Sequence, residues 1–347
     1  MIPKNHNTKA LIFWEGFPAC GLLTKKVLEN FDDVVLLATR PTVPFQGLEE
    51  KLGHPITWLE NPNDIWNLQE KYSDRNLILH TGWNHPGWLR YDKEQKKKGA
   101  KIVVVVDNSY RGDFRQFLGA VWFRLKLRRI FDGAFVPGKS ATKLMRFLGM
   151  PADKIFTGNY GAYSKIYFET TPIQERKDEF LFIGQLIKRK GVDVLLEAFI
   201  DYKNKGGTWG LRLLGSGEML EKCQKTPGVI CEGFTQPHLT SDFMNQAQTL
   251  ILPSRHDNWG TVIAEAAACG MHIIATKTSG ASHDIIGENN GVTLEKLNKE
   301  ELVKAMFLFE KMTNEDLVAG SIESKSIARK FDENNYLESF TRIANSL

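Results

Sequence analysis

The chain has 347 residues, of which 42% are hydrophobic and 25% charged, with a formal net charge of +4. That length is generous for a single core and suits two domains of ordinary size, and the mix excludes a disordered or low-complexity chain. The longest apolar runs, such as Ile102 to Val106, are far too short to span a bilayer, and Cys20, Cys223, Cys231 and Cys269 show no metal-ligand spacing.

The polar start MIPKNHNTK runs directly into an apolar segment, which speaks against a secretory signal. With the cysteines read as reduced thiols, a cytoplasmic protein is expected. KALIFW reads as a strand, followed by the glycine turn Gly16 to Gly21 and a helix from Leu22 to about Asn30. DVVLLAT, RNLILHT, KIVVVVD and DGAFVP are further strands. They are short runs of Val, Ile and Leu without polar alternation, as in a parallel sheet buried on both faces. KSATKLMRFLG reads as a helix stopped by Gly149.

Charge is unevenly placed. Between Arg90 and Arg129, twelve Lys and Arg stand against four acids, so the rest of the chain is net acidic. The first half therefore invites an anionic partner. Within that stretch FRQFLGAVWFRLKLRRIF mixes Phe117, Trp122, Phe123 and Leu125 with Arg115, Arg124, Lys126, Arg128 and Arg129. Two readings fit. One is a helix resting on an anionic membrane surface; the other is a core-facing helix with a solvated basic side. No nucleic-acid recognition module is visible.

The polar segment Ser164 to Glu179 reads as a linker, after which EFLFIG opens a second α/β series. It continues with helix VDVLLEAFID, strand GLRLLG, then GVICEGF, helix HLTSDFMNQA and strand TLILPS. The segment from Leu250 to Thr276 carries the most chemistry. An apolar strand ends at Pro253-Ser254, and a polar loop follows with Asp257 eight positions ahead of Glu265. Gly260-Thr261 opens an Ala-rich helix, and HIIAT is the next strand. A helix start and two carboxylates thus fall where strands end, the place where open α/β sheets bind ligands. Carboxylates accept from hydroxyls and helix-start amides hold anions, so the segment reads as a grip for a sugar nucleotide.

Upstream, FIGQLIKRKG sets Lys188, Arg189 and Lys190 near a helix start, where cations oppose the helix dipole unless an anion is bound. A solvated basic turn would explain this piece alone, and LLGSGEM and GFPACG are individually no more than chain-reversing glycine turns.

Taken in order, these pieces resemble the family-4 retaining glycosyltransferases of the GT-B fold, most strongly from Phe180 to Gly291. FIGQLIKRKGVDVLLEAF is similar to the family's strand, Gly-Arg turn, Lys-Gly and helix, and LLGSGEM to its next glycine turn. LPSRHDNWGTVIAEAAACGMHIIAT resembles the segment holding two glutamates separated by seven residues. The stretch around Asn159, Tyr160 and Gly161 is similar to the one that closes the N-terminal domain.

The resemblance implies two Rossmann-like doubly wound domains with a C-terminal helix crossing back to the first. Its expected limits are an acceptor domain at 1–165, a linker at 166–178, a nucleotide-sugar domain at 179–330 and the returning helix at 331–347. It implies that Lys190 neutralises the donor diphosphate, that Glu265 holds the ribose hydroxyls and that Asp257 contacts the transferred sugar. It also implies that Asn258, Trp259, Gly260 and Thr261 face the donor, and that Gly21 approaches the diphosphate. Gln185 stands where the family has arginine, and Arg189 is the substitute. The family histidine after the buried N-domain strand is absent from IVVVVDNSYRGD; Asp107 is nearest, with His80 and His85 as weaker candidates, since a histidine at a strand end is more often structural. Arg124, Arg128 and Arg129 are the candidates for membrane or acceptor contact.

The expected activity is transfer of a hexose from a nucleotide-diphosphate sugar to a saccharide or lipid-linked glycan of a bacterial surface polysaccharide. Retention is expected, with neither metal nor cofactor, and with peripheral contact to the inner face of the membrane. The alternative is a non-catalytic GT-B protein that binds a sugar nucleotide or a partner enzyme.

Overall fold

The computed structural model describes residues 7–41 and 45–347; the polar lead-in at 1–6 lies outside them. The chain forms two compact units, one running to Gly161 and including Asp332–Leu347, the other spanning Ala162–Phe331.

In the first unit, β1 (Lys9–Trp14), β2 (Asp33–Thr39), β3 (Thr57–Leu59), β4 (Leu77–Thr81), β5 (Lys101–Val105), β6 (Gly133–Val136) and β7 (Ile155–Thr157) form one sheet. Its order is β3-β2-β1-β4-β5-β6-β7, with every pairing parallel. Apart from Lys9, every residue of β1 is buried, as expected of a strand covered on both faces. The edge strands β3 and β7 have three residues each, too few to show a period in sequence.

The helix Glu333–Ser346 packs on this first unit through Tyr336, Leu337, Phe340 and Ile343, a stripe along one helical face. Phe340 lies 4.9 Å from Phe31 and Tyr336 5.2 Å from Phe135, ring centre to ring centre. Asp332 caps the helix by accepting from the amides of Asn334 and Asn335 at 2.9 and 3.0 Å.

In the second unit, β8 (Lys177–Ile183), β9 (Gly210–Leu214), β10 (Val229–Gly233), β11 (Ala247–Leu252), β12 (His272–Thr276) and β13 (Gly291–Leu294) form a parallel sheet ordered β10-β9-β8-β11-β12-β13. Both sheets reverse their strand order once, between β1 and β4 and between β8 and β11. Such reversals open a crevice at the carboxyl ends of the strands.

Residues 166–178, polar in sequence, fall within the second unit, where Tyr167, Ile173 and Arg176 are buried. Arg176 is buried and donates to the carbonyls of Thr171, Met244 and Cys269 at 3.1, 3.1 and 2.6 Å, and burial pulls its guanidinium down to about 10. The polarity of Arg176 is spent internally, which composition alone does not reveal.

Candidate functional site

The loops after β8, β9 and β11 meet at the switch point of the second unit. Glycine makes this approach possible. A Cβ on Gly191, whose φ is +74°, would lie 1.9 Å from the carbonyl oxygen of Pro253; one on Gly215 would lie 1.9 Å from that of Gly184. Leu186 donates its amide to Ser216 at 2.8 Å, and Arg255 donates its amide to Arg189 at 2.9 Å, tying the loops together.

On this frame Lys190 Nζ donates to the Asp257 carboxylate in a half-buried ion pair. Arg189 donates to the Gln185 side-chain oxygen at 3.2 Å and to the His256 carbonyl at 3.1 Å. A guanidinium therefore sits beside Gln185, the position where the resemblance expects arginine. Arg255, which sequence reading passed over, braces the same loop with two bonds to Asp193 at 2.6 and 2.8 Å.

The loop carrying Asp257 is also pinned from the other side. Asp257 donates its amide to Thr278 at 3.2 Å and accepts from Gly280 at 3.3 Å, while Ala281 donates to Trp259 at 2.8 Å. Gly260, with φ +84°, turns the chain into the helix Thr261–Ala268, which no side chain caps. Its first turn presents backbone amides of the kind that helix starts offer to anions, with Ile263 donating its own to the Gly260 carbonyl at 2.9 Å. The Asn258 side-chain oxygen accepts from the His256 ring at 3.1 Å. The Trp259 indole is buried, 5.8 Å from the Phe331 ring.

Glu265 lies one turn farther along this helix and is 9% exposed. Burial pushes its carboxyl up to about 7, against which a hydrogen bond from Tyr167 acts. Tyr167 also donates to the Pro237 carbonyl at 3.1 Å. Tyr167 falls in the polar stretch read as a linker, so nothing in the sequence pointed to it.

The first unit has its own cavity, about 560 Å³, at its own switch point. Glu15 after β1, Trp83 after β4, and Asp107 and Asn108 after β5 line it, together with Arg111 and Tyr160. The Tyr160 hydroxyl is raised well above its ordinary value by desolvation, and next by the nearby Asp107 carboxylate. Asp107 thus faces the cavity. His80 does not: it is fully buried, 2.9 Å from Asp92 and stacked on Trp88. His85 lies 3.0 Å from Glu15, one residue back from the lining. Gly21 is held by packing, since a Cβ there would meet the Phe17 ring at 2.2 Å.

Of the basic candidates, Arg124 donates to the Phe147 carbonyl at 2.7 Å, and Arg128 to the carbonyls of Gly149 and Phe131 at 3.1 and 3.2 Å. These two guanidinium groups satisfy backbone oxygens of their own unit, whereas Arg129 is exposed.

Residues 164–322 match the family model described as Glycosyl transferases group 1. The matched residues lie within the second unit. An uncharacterised glycosyltransferase of Methanocaldococcus jannaschii is 29% identical over 160 residues, 44% of this chain and 43% of that protein. The capsular polysaccharide biosynthesis glycosyltransferase CapM of Staphylococcus aureus is 22% identical over 204 residues, 53% of this chain and 52% of CapM. The chain thus spans about half the length of the curated relatives it matches. Among solved structures, Anabaena HepE in complex with UDP and glucose superposes with a TM-score of 0.76 at 15% identity, covering 98% of this chain and 100% of HepE. The fold is that of the GT-B glycosyltransferases.

Proposed function

We propose that the protein transfers a hexose from a nucleotide-diphosphate sugar to an acceptor saccharide, free or lipid-linked, of a bacterial surface polysaccharide. One observation carries this reading. Lys190, Asp257 and the uncapped start of the Thr261–Ala268 helix gather at the ends of the two switch-point strands, with Glu265 buried one turn away.

In the reaction, the bond from the anomeric carbon to the diphosphate oxygen breaks and a bond to an acceptor hydroxyl forms, with that hydroxyl's proton released. Charge builds on the leaving diphosphate. Lys190, the Arg189–Gln185 pair and the amides of Gly260 and Thr261 would stabilise it without a metal ion. Asp257 would accept hydroxyls of the transferred sugar and Glu265 those of the ribose. The cavity of the first unit, with Asp107, would seat the acceptor. Retention of anomeric configuration rests on the resemblance. HepE's complex with UDP makes UDP-sugars the first donors to test.

Purified protein is incubated with UDP-, GDP- and ADP-sugars with and without oligosaccharide acceptors, in the presence of EDTA. Nucleotide release, thermal shift and the anomeric coupling of the product by NMR are read. Acceptor-dependent release with retention is expected. A donor that binds and is never cleaved would favour the non-catalytic reading instead.

A further inference from the structure

The helix Phe114–Trp122 and its π-helical continuation Phe123–Leu127 are apolar on two sides. The inner side is accounted for: Ala120, Phe123 and Leu127 are buried in the core of the first unit. The outer side is not. Phe114 is 75% exposed and Leu125 76%, and Phe117, Leu118, Val121 and Trp122 are exposed between them. The spacing from Phe114 through Phe117, Leu118 and Val121 puts these on one helical face. A contiguous outward stripe of this kind, with two phenylalanines and a tryptophan, marks a docking surface.

The charges around the stripe select its occupant. Lys126 and Arg129 are exposed on the same segment, and Lys139, Lys143 and Arg146 on the neighbouring helix Lys139–Phe147. That neighbouring helix contains no acidic residue, and between Phe114 and Phe131 there is none either. An apolar stripe bordered by cations of one sign complements an interface that is apolar within and negative at its surface, which is an anionic lipid bilayer. No helix among the described residues is long and apolar enough to cross a membrane, so contact would be lateral.

We propose that the first unit docks on anionic bilayers by laying the outer face of residues 114–125 into the headgroup region. The apolar stripe, with Lys126 and Arg129, performs the docking; Arg124 and Arg128 serve to anchor the segment to its own unit. Trp122, Gly119 and Gln116 also line the 560 Å³ cavity, so docking holds that cavity at the lipid surface. On the reading proposed above, this suits a lipid-linked acceptor.

The full chain is sedimented with vesicles of phosphatidylethanolamine and phosphatidylglycerol, and separately with pure phosphatidylcholine vesicles. Binding to the anionic vesicles is expected, weaker by about tenfold or more on neutral ones and in high salt. The combined variant Phe117→Ser, Leu118→Ser, Leu125→Ser should lose about tenfold or more in vesicle binding. So should Lys126→Gln with Arg129→Gln. Should the triple variant misfold, Leu125→Asp alone, at a position with little to lose from the fold, serves in its place. Equal sedimentation of these variants and the parent, or no binding to anionic vesicles, overturns the proposal. So does a parent dimer that the serine variant dissociates, because a second copy would then cover the stripe. Thermal shift with nucleotide sugars in vesicle-free buffer is read alongside. Lost docking with donor binding intact leaves the transferase reading standing, and the reverse result leaves the docking standing.

Discussion

Lys190 and Asp257 are joined by an ion pair across 67 positions of sequence, one in the turn after β8 and the other in the loop after β11. Each holds the other at the crevice where the strand order reverses. A donor diphosphate would draw the ammonium towards itself and leave the carboxylate to accept from the sugar. On the reading proposed above, the pair would set out, in advance of binding, both partners for the transfer.

Lys190→Ala should lower kcat/KM for transfer by about 10²- to 10³-fold, as loss of one aimed charge from a leaving-group site typically does. Asp257→Asn should keep nucleotide affinity within a few-fold and lower kcat if, as proposed above, its contact is to the transferred sugar. Steady-state kinetics with titration of the free nucleotide separates the two. Unchanged kcat/KM in the lysine variant would remove it from the reaction.

Gly191→Ala should destabilise the protein by more than about 2 kcal/mol, combining left-handed backbone strain with collision against the Pro253 carbonyl. Gly206→Ala is the control. Its φ is +91° but nothing lies within 4 Å of the added carbon, so only the backbone cost of about 1 kcal/mol applies. Thermal unfolding of the two variants checks the difference; equal shifts would mean that the contact between the two loops is not tight.

The strands and the two glycine-bounded loops were legible because buried parallel strands leave unbroken Val, Ile and Leu runs, and loops that touch by backbone demand glycine. The placement of Asp257 before a helix start and of Glu265 within that helix was legible from their spacing. Other features lay beyond one-dimensional pattern. The three-residue strands β3 and β7 carry no period, and Tyr167 is a partner of Glu265 brought close by folding alone. The fate of Arg124 and Arg128 depended on where the carbonyls of Phe147, Gly149 and Phe131 would end up. Amphipathicity showed that the segment had basic edges, yet not which cations were already engaged.

His80→Ala should cost about 2–5 kcal/mol, since it opens a cavity beside Trp88 and leaves a fully buried Asp92 oxygen without its 2.9 Å partner. Turnover per folded molecule should be unchanged, because His80 does not line the cavity. Active-site titration combined with thermal unfolding tests this. A stable variant with lost turnover would instead give His80 the role that the family histidine holds.

On the reading proposed above, Glu265 would link donor binding, stability and pH. Burial raises its carboxyl from 4.5 to about 7, so between those values the folded chain keeps a proton that the unfolded chain releases. Stability therefore falls as pH rises through that window, by a total of about 3 kcal/mol above pH 7. Ribose hydroxyls would donate to the ionised carboxylate, so donor affinity should rise as pH rises through about 7, with a proton released on binding at lower pH. Glu265→Gln should unfold at a higher temperature than the parent at pH 8 and at a similar one at pH 4, while binding the nucleotide more weakly and without pH dependence. Calorimetry in buffers of different ionisation enthalpy measures the proton, and thermal unfolding at the two pH values measures the stability. A pH-independent affinity in the parent chain would detach Glu265 from the ribose; a variant no more stable than the parent at pH 8 would show that the carboxyl is ionised in the fold at no cost.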